Sequence, residues 1–248
     1  ASKGSKAAAS AEEALWLAVL AMDRAATGAD ANSAAGRRAE MATMFLQAYP
    51  ASPRAARIVL MQAAGGDLGE DEAIRILSEV GKESPVYEAS RRQLARLLYA
   101  KYRAARGSDR DFAAMRFVGV AEELLSADRR IALEPDAAAA REACDRVVLR
   151  ARQLLDALLG VTSPDIARAA AVLEALQSVA AFNKVDLSEH QPELTFRRVQ
   201  MALTTGEDGE AAELIERLWS LGAAGEQYAH AADRLLYRRA AARWKQSD

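Results

Sequence analysis

Apolar residues recur at spacings of three and four along most of this chain, and short polar turns separate the periodic stretches. That period places apolar side chains on one face of a helix, whereas the period-two alternation typical of strands is absent. We therefore predict an all-α protein with no sheet, built from antiparallel helix hairpins. The eleven predicted helices cover residues 9–27, 33–49, 53–64, 70–81, 85–106, 109–128, 136–160, 164–182, 192–205, 209–221 and 225–246.

Prolines and glycines punctuate this pattern. A proline tolerates the first helical position because its missing N–H has no partner there, and a preceding serine can cap the helix. A glycine suits the left-handed position that ends many helices. The prolines at predicted helix starts are Pro50, Pro53, Pro85, Pro135, Pro164 and Pro192, of which three follow Ser52, Ser84 and Ser163; the glycines at predicted ends are Gly65, Gly81, Gly107, Gly160, Gly206 and Gly222.

Several predicted helices carry a narrow apolar stripe, which we interpret as the face that packs into the core. The last two stripes flank Gly222 and predict a helical hairpin across it. The stripes consist of Ala73, Ile76, Leu77 and Val80; of Leu94, Leu97, Leu98 and Tyr102; of Ala211, Leu214, Ile215, Leu218 and Trp219; and of Tyr228, Ala231, Ala232, Leu235, Leu236 and Trp244.

In two stretches, an aromatic or aliphatic residue, then a small or apolar residue, and then a proline follow one another at the same spacing. They are Phe45-x2-Ala48-x4-Pro53 and Ala73-x3-Leu77-x2-Val80-x4-Pro85, whose prolines lie about one helical hairpin apart. This spacing resembles the second-helix signature of the tetratricopeptide repeat. Later in the chain the signature departs from the family: counting back from Pro164, its positions hold Arg152, Asp156 and Leu159.

The resemblance covers residues 33–106 and, by helix rhythm alone, 192–246. It implies an α-solenoid, a right-handed superhelix of stacked hairpins whose inner groove binds a peptide or protein partner. It implies no catalytic activity. The first-helix signature of the family is not clearly present, so no groove residue is carried over from it.

The domain organisation follows from the helix pattern. We interpret residues 1–8 as a linker or tag remnant and residues 9–246 as a single helical repeat-like domain. That domain could divide into sub-units 9–106, 107–186 and 187–246.

Composition narrows the function classes. A formal net charge of −2 gives no overall attraction to nucleic acid or to an anionic membrane, although a local basic face stays open. One cysteine, Cys144, excludes an internal disulfide and suits a buried apolar role. We expect a bacterial protein of the cytoplasm, with the periplasm as an open alternative, and no membrane insertion.

The chain offers little catalytic chemistry. Of its two histidines, His190 lies in a polar turn, and His230 follows Glu226 by four residues, a spacing typical of a surface pair. Cys144 and these histidines lack the spacing of a zinc site, and no phosphate-binding glycine motif is present. We therefore predict no catalytic residue, no metal and no cofactor.

Arginine pairs are the most distinctive polar feature. Beside tyrosines they could bind an acidic peptide or a phosphate backbone; a solvated face balanced by nearby acids is the alternative interpretation. The candidate partner-binding residues are Arg91, Arg92, Arg197, Arg198, Tyr228, Arg234 and Arg238.

The function expected from these observations is a non-catalytic scaffold that binds a partner peptide or protein in a helical groove. The alternative is a helical repeat protein that binds nucleic acid through its arginine pairs. Self-association is a further expectation, because apolar end helices seek partners. The candidate residues for that contact are Trp16, Leu17, Leu20 and Trp244.

Overall fold

The computed structural model describes residues 3–25, 31–49, 52–65, 69–134 and 137–247, and within these ranges it contains eleven α-helices, one short 3-10 helix and no strand. The all-α prediction is confirmed for this part of the chain. The helices are α1 (Lys3–Ala25), α2 (Ala31–Ala48), α3 (Pro53–Gly65), α4 (Glu70–Glu79), α5 (Tyr87–Ala104), α6 (Gly107–Ala132), α7 (Ala137–Leu159), α8 (Ile166–Asn183), the 3-10 helix Ser188–His190, α9 (Gln191–Thr205), α10 (Asp208–Ser220) and α11 (Ala223–Ser247).

The chain forms two compact units, residues 1–98 and 99–248, and the boundary falls within α5. In the first unit, α1 packs on α2, α2 on α3, and α3 on α4. In the second, α6 packs on α7, α7 on α8, α9 on α10, and α10 on α11. The second unit also has contacts between alternate helices, namely α6 with α8, α7 with α9, and α9 with α11. Sequential pairing thus organises both units.

Several helix ends follow the prediction. Helix α3 begins at Pro53, and the Ser52 hydroxyl oxygen accepts a hydrogen bond of 3.1 Å from the backbone N–H of Arg54. Pro192 occupies the first turn of α9. Gly206 ends that helix in the left-handed region with φ of 96°, where a side chain would be strained.

Other ends differ from the prediction. Helix α8 is capped by Asp165 rather than Ser163: its carboxylate accepts a 3.1 Å bond from the N–H of Arg168, because Asp165 directly precedes the first helical residue. Gly107 does not end α5 but opens α6, with φ of 52° at the sharp junction. Helix α1 begins at Lys3, earlier than predicted. The predicted starts at Pro50 and Pro135 lie outside the described residues.

The core of the first unit forms around Trp16 of α1 and Phe45 of α2, whose rings meet edge to face with centroids 6.4 Å apart. The guanidinium groups of Arg54 and Arg57 on α3 lie over the Trp16 ring at 5.7 and 5.4 Å. Trp16 is therefore buried, and its predicted role as an exposed end residue is wrong. Leu17, at 54% exposure, is open to solvent as expected.

A second buried cluster joins α9, α10 and α11, and its members are Val199, Ala202, Leu203, Ala211, Ile215, Leu218, Ala229 and Ala232. The small residues among them let the helices approach closely. The two tryptophans of the predicted stripes do not belong to this core. Trp219 is 42% exposed and Trp244 is 72% exposed, since each lies at the edge of its helix's apolar face. Self-association through Leu17 or Trp244 stays a prediction.

The described helices include none that is both long enough and apolar enough to cross a lipid bilayer.

Gly160 marks a close approach between α5 and the end of α7 in the second unit. A Cβ atom at this position would lie 2.3 Å from the hydroxyl oxygen of Tyr102 and 2.6 Å from the carbonyl oxygen of Asp156. Because Tyr102 is fully buried, it has no free space into which to move. Only glycine lets α5 and the end of α7 meet at this distance.

We predict that Gly160→Ala destabilises the second unit by about 2 kcal/mol through overpacking. Urea unfolding followed by circular dichroism measures the change.

A matched control is Gly119→Ala, inside α6, where a Cβ would meet nothing within 4 Å. It should leave stability unchanged or raise it by about 0.5–1 kcal/mol, since alanine favours a helix interior. Equal stability of the two variants would contradict the close approach at Gly160.

Candidate functional site

Asp156 is the most buried acidic side chain on α7, with 12% of the side chain exposed. Its Oδ1 accepts a 2.8 Å bond from Nη2 of Arg197 on α9. Its Oδ2 accepts from the hydroxyl of Tyr99 at 3.1 Å and from Nη1 of Arg103 at 3.4 Å, both on α5. A buried carboxylate is tolerated only where such partners replace water. Asp156 therefore joins three alternate helices through polar contacts.

A second carboxylate extends this arrangement along α9. Glu193 lies one helical turn before Arg197, and its Oε2 alone is contacted by two nitrogens of Arg152 of α7, Nε at 2.7 Å and Nη2 at 2.6 Å. Its Oε1 lies 3.8 Å from Nη2 of Arg197. Arginines and carboxylates thus alternate without a break from α7 to α9.

Tyr102 connects the backbone of Asp156 to a further arginine, Arg110. Its hydroxyl donates to the backbone oxygen of Asp156 at 2.8 Å and accepts from Nη2 of Arg110 at 2.6 Å. The Arg110 guanidinium also donates from Nε to the oxygen of Gly160 at 3.1 Å and lies 4.4 Å from the centre of the Tyr102 ring. We call the connected set the Asp156 network; its members are Tyr99, Tyr102, Arg103, Arg110, Arg152, Asp156, Glu193 and Arg197.

The Asp156 network has more cations than anions. Four guanidinium groups face two carboxylates, so two positive charges are not balanced within it. The cations are unevenly buried: the Arg197 side chain is 12% exposed, that of Arg152 34% and that of Arg103 61%. Arg103 is therefore the cation most open to solvent, Arg152 is partly open although it is paired with Glu193, and Arg197 is the buried cation.

Burial raises the pKa of three tyrosines in this region. Loss of water around the hydroxyl, reinforced by the negative charge of Asp156, raises the pKa of Tyr99 and of Tyr102. Burial, followed by the charge of Glu193, likewise raises the pKa of Tyr228 on α11. The three hydroxyls stay neutral at physiological pH, and those of Tyr99 and Tyr102 act as hydrogen-bonding groups.

A cleft of about 240 Å³ adjoins the Asp156 network one helical turn further along α7 and α9. Gln200 belongs to both: its side-chain oxygen accepts a 3.0 Å bond from Nη1 of Arg197, and its side chain lines the cleft. The cleft is mostly apolar, and its lining consists of Leu159, Pro164, Gln200, Leu203, Thr204, Leu235 and Arg239. We call it the Leu159–Leu235 cleft.

Among the candidate residues predicted from sequence, the structure brings together Arg197 and Tyr228. The Tyr228 ring packs on Phe196, with centroids 5.8 Å apart, and its hydroxyl is influenced by Glu193, Arg152 and Arg197. Arg91 and Arg92 lie in the first unit: Arg91 lies over the ring of Tyr87 at 5.8 Å, and Arg92 pairs with Glu88 at 2.6 Å.

The other three predicted residues lie apart from the Asp156 network. Arg198 is half-buried on the side of α9 away from Asp156, while Arg234 and Arg238 are exposed on α11. Within the described part of the chain, none of the three takes part in the ion pairs of the network.

Sequence reasoning missed most of the Asp156 network, namely Tyr99, Tyr102, Arg103, Arg110, Arg152, Asp156 and Glu193. A signal was present, because Arg152–Asp156 and Glu193–Arg197 are both spaced i,i+4 with opposite charges. In the structure all four residues pair across helices, and Glu193 and Arg197 also lie 3.8 Å apart along α9. That step requires knowing which helices are neighbours.

The histidines and the cysteine do not converge. His230 lies 3.8 Å from Glu226 on an exposed face, and its ring meets the edge of Trp219 at 4.8 Å, as expected for a surface pair. Buried Cys144 lines a separate cleft of about 620 Å³ beside Asp145 and Lys184, and burial raises the pKa of its thiol. In the described ranges no three metal-binding side chains of His, Cys, Asp or Glu come together.

Comparison with protein-family models, with curated proteins and with solved structures gave no match to this chain.

We predict that Arg197→Met lowers the free energy of unfolding by about 3 kcal/mol, because it leaves the buried Asp156 carboxylate short of a cation. The double variant Arg197→Met with Asp156→Leu should recover part of this loss, since it removes the charge as well. Urea unfolding of the two variants measures both effects.

The control for this prediction is Arg92→Met, which removes an exposed i,i+4 pair and should change stability by no more than about 0.5 kcal/mol. A double variant less stable than Arg197→Met would show that the Asp156 charge is not the cause.

The raised tyrosine pKa values predict a loss of stability at alkaline pH. The folded protein favours the neutral hydroxyl, so the stabilisation is complete below the ordinary pKa of 10.0 and disappears as pH rises through the higher folded value. Urea unfolding at intervals from about pH 8 to about pH 11 should show this decline. Tyr102→Phe should make it shallower.

Tyr237→Phe is the matched control, because that ring is 75% exposed and lies outside the Asp156 network. It should reproduce the wild-type decline. A Tyr102→Phe curve parallel to the wild type would argue against burial of this hydroxyl as the source.

Proposed function

We propose that this chain is a non-catalytic protein-interaction scaffold, and that its second unit binds a segment of a partner protein along α5, α7, α9 and α11. The observation that carries the proposal is the Asp156 network, which extends over residues of α5, α7 and α9, with Tyr228 of α11 beside it. Its solvent-facing arginines form one surface of defined charge.

The order of helix contacts supports this assignment. Helix α7 contacts α9, and α9 contacts α11, while the intervening helices α8 and α10 pack on them from another side. Such alternation resembles the stacking in tetratricopeptide-like solenoids, in which alternate helices form the inner, partner-binding row. Apart from Arg110 on α6, the Asp156 network lies on the alternate helices of this row.

The chemistry of the network suits binding better than catalysis. Each carboxylate is held by arginines and not by a second carboxylate or a histidine, so the pair lacks the arrangement of a general acid and a general base. The tyrosine hydroxyls are neutral and engaged in hydrogen bonds. A rigid, pre-organised set of donors is what recognition of a partner requires.

Nucleic acid is the second candidate ligand. It is favoured by Arg234 and Arg238, two exposed arginines one helical turn apart on α11. Binding of this kind would weaken steeply with added salt, because it depends on counterion release.

The test is selection of a phage-displayed library of random peptides on the full chain, with counter-selection on the variant Arg103→Gln, Arg152→Gln. We expect enriched peptides that bind the wild type with micromolar dissociation constants in calorimetry and bind the variant about tenfold more weakly.

A labelled oligothymidine probe, titrated at low and moderate salt, serves as the nucleic-acid arm. Tight, salt-sensitive binding of this probe with no enriched peptide would favour the second candidate and overturn the scaffold proposal.

A further inference from the structure

The Asp156 network and the Leu159–Leu235 cleft form one continuous surface. Leu159 follows Asp156 by three residues on α7, and Gln200 follows Arg197 by three residues on α9. One helical turn therefore separates the charged site from the apolar cleft on both helices, about 5 Å along the axis. Gln200 contacts Arg197 and also lines the cleft, so this one side chain connects the two sites.

The charge of this surface selects for carboxylates. The protein already seats two of its own carboxylates here, with Arg152 gripping Glu193 through two nitrogens and Arg197 bonded to Asp156. Two positive charges are not balanced within the network, and its solvent-exposed guanidinium groups are Arg103, at 61% exposure, and Arg152, which is 34% exposed beside its partner Glu193. Planar guanidinium groups recognise a carboxylate through paired hydrogen bonds.

The apolar cleft argues against an extended phosphate backbone as the ligand. Leucine and proline side chains make up much of its lining, and a phosphate chain gains nothing by covering them. The basic stretch is also short, because exposed Asp145 lies on the same face of α7 two turns before Arg152. A polyanion lying along the helix would meet this carboxylate.

We infer that the partner segment recognised here is acidic and apolar together: one or two carboxylates bind at Arg103 and Arg152, and a neighbouring large aliphatic or aromatic side chain fills the Leu159–Leu235 cleft. Arg152 precedes Leu159 by two helical turns, about 10 Å along α7, and an extended peptide advances about 3.3 Å per residue, so the acidic residue and the apolar anchor lie about three positions apart. This inference rests on the proposed function, which it deepens by naming the chemistry of the partner.

The test measures fluorescence anisotropy of four labelled probes on the full chain. The first is a short Gly-Ser peptide that carries glutamates about three residues away from one leucine. The second replaces the glutamates by lysine, the third replaces the leucine by glycine, and the fourth is oligothymidine. We expect the first probe to bind at least about tenfold more tightly than the other three.

Two variants localise the binding. Arg103→Gln with Arg152→Gln removes the surplus charge, and Thr204→Trp fills the cleft from an exposed position on its rim. Each should weaken the first probe about tenfold. The matched controls are Arg129→Gln on the exposed face of α6 and Thr205→Trp, whose side chain points about 100° away from that of Thr204; both should bind like the wild type.

Several outcomes would overturn the inference. If the lysine probe bound as tightly as the first probe, the ligand would need no acidic residue. If the glycine probe did so, the ligand would need no apolar anchor. Unchanged affinity in both variants would show that binding occurs elsewhere on the chain. Preference for oligothymidine would assign the surface to nucleic acid. Loss of a dimer in the charge variant, seen by light scattering, would assign it to a second copy of this chain. Phage selection separates the two levels: enriched peptides without the acidic–apolar pair overturn only the inference, whereas no enrichment defeats the proposed function as well.

Discussion

Burial of the Asp156 carboxylate is the constraint on which the second unit depends. A charged group removed from water must regain its lost hydration from protein donors, and α7 by itself supplies none. The donors come from Arg197 on α9 and from Tyr99 and Arg103 on α5. One side chain thereby fixes the relative register of alternate helices, which apolar contacts between leucines and alanines would specify less sharply.

Other contacts in the second unit depend on how Asp156 is held. When Arg197 points toward Asp156, Glu193 lies one turn away, where it pairs with Arg152. Tyr102 reaches the backbone oxygen of Asp156 only because Gly160 has no side chain. Stability and the proposed recognition of a partner would consequently depend on the same groups. A network rich in arginine holds the helices together and leaves positive charge at the surface, with its donors already oriented.

Much of the fold could be predicted from the sequence, because helix period, proline and glycine are local signals. The errors are local as well. Asp165 displaced Ser163 as a cap, and Gly107 opened a helix where an end was expected, since two good capping residues or a left-handed glycine can serve either side of a turn. Less of the candidate site could be predicted from the sequence. Arg197 and Tyr228 stood out as members of an arginine-rich pattern, but the carboxylate that gives Arg197 its role, Asp156, belongs to another helix.

The departures from the tetratricopeptide signature carry more information than the matches. In that signature small residues let neighbouring hairpins approach, whereas this chain has Arg152, Asp156 and Leu159 at the corresponding positions. In the structure the first two belong to the Asp156 network and the third lines the adjoining cleft. Arg152 and Asp156 place charged groups where the signature has uncharged residues, and Leu159 lines an open cleft. These positions therefore supply charge and part of a cleft, which are the features that the proposed binding of a partner would use.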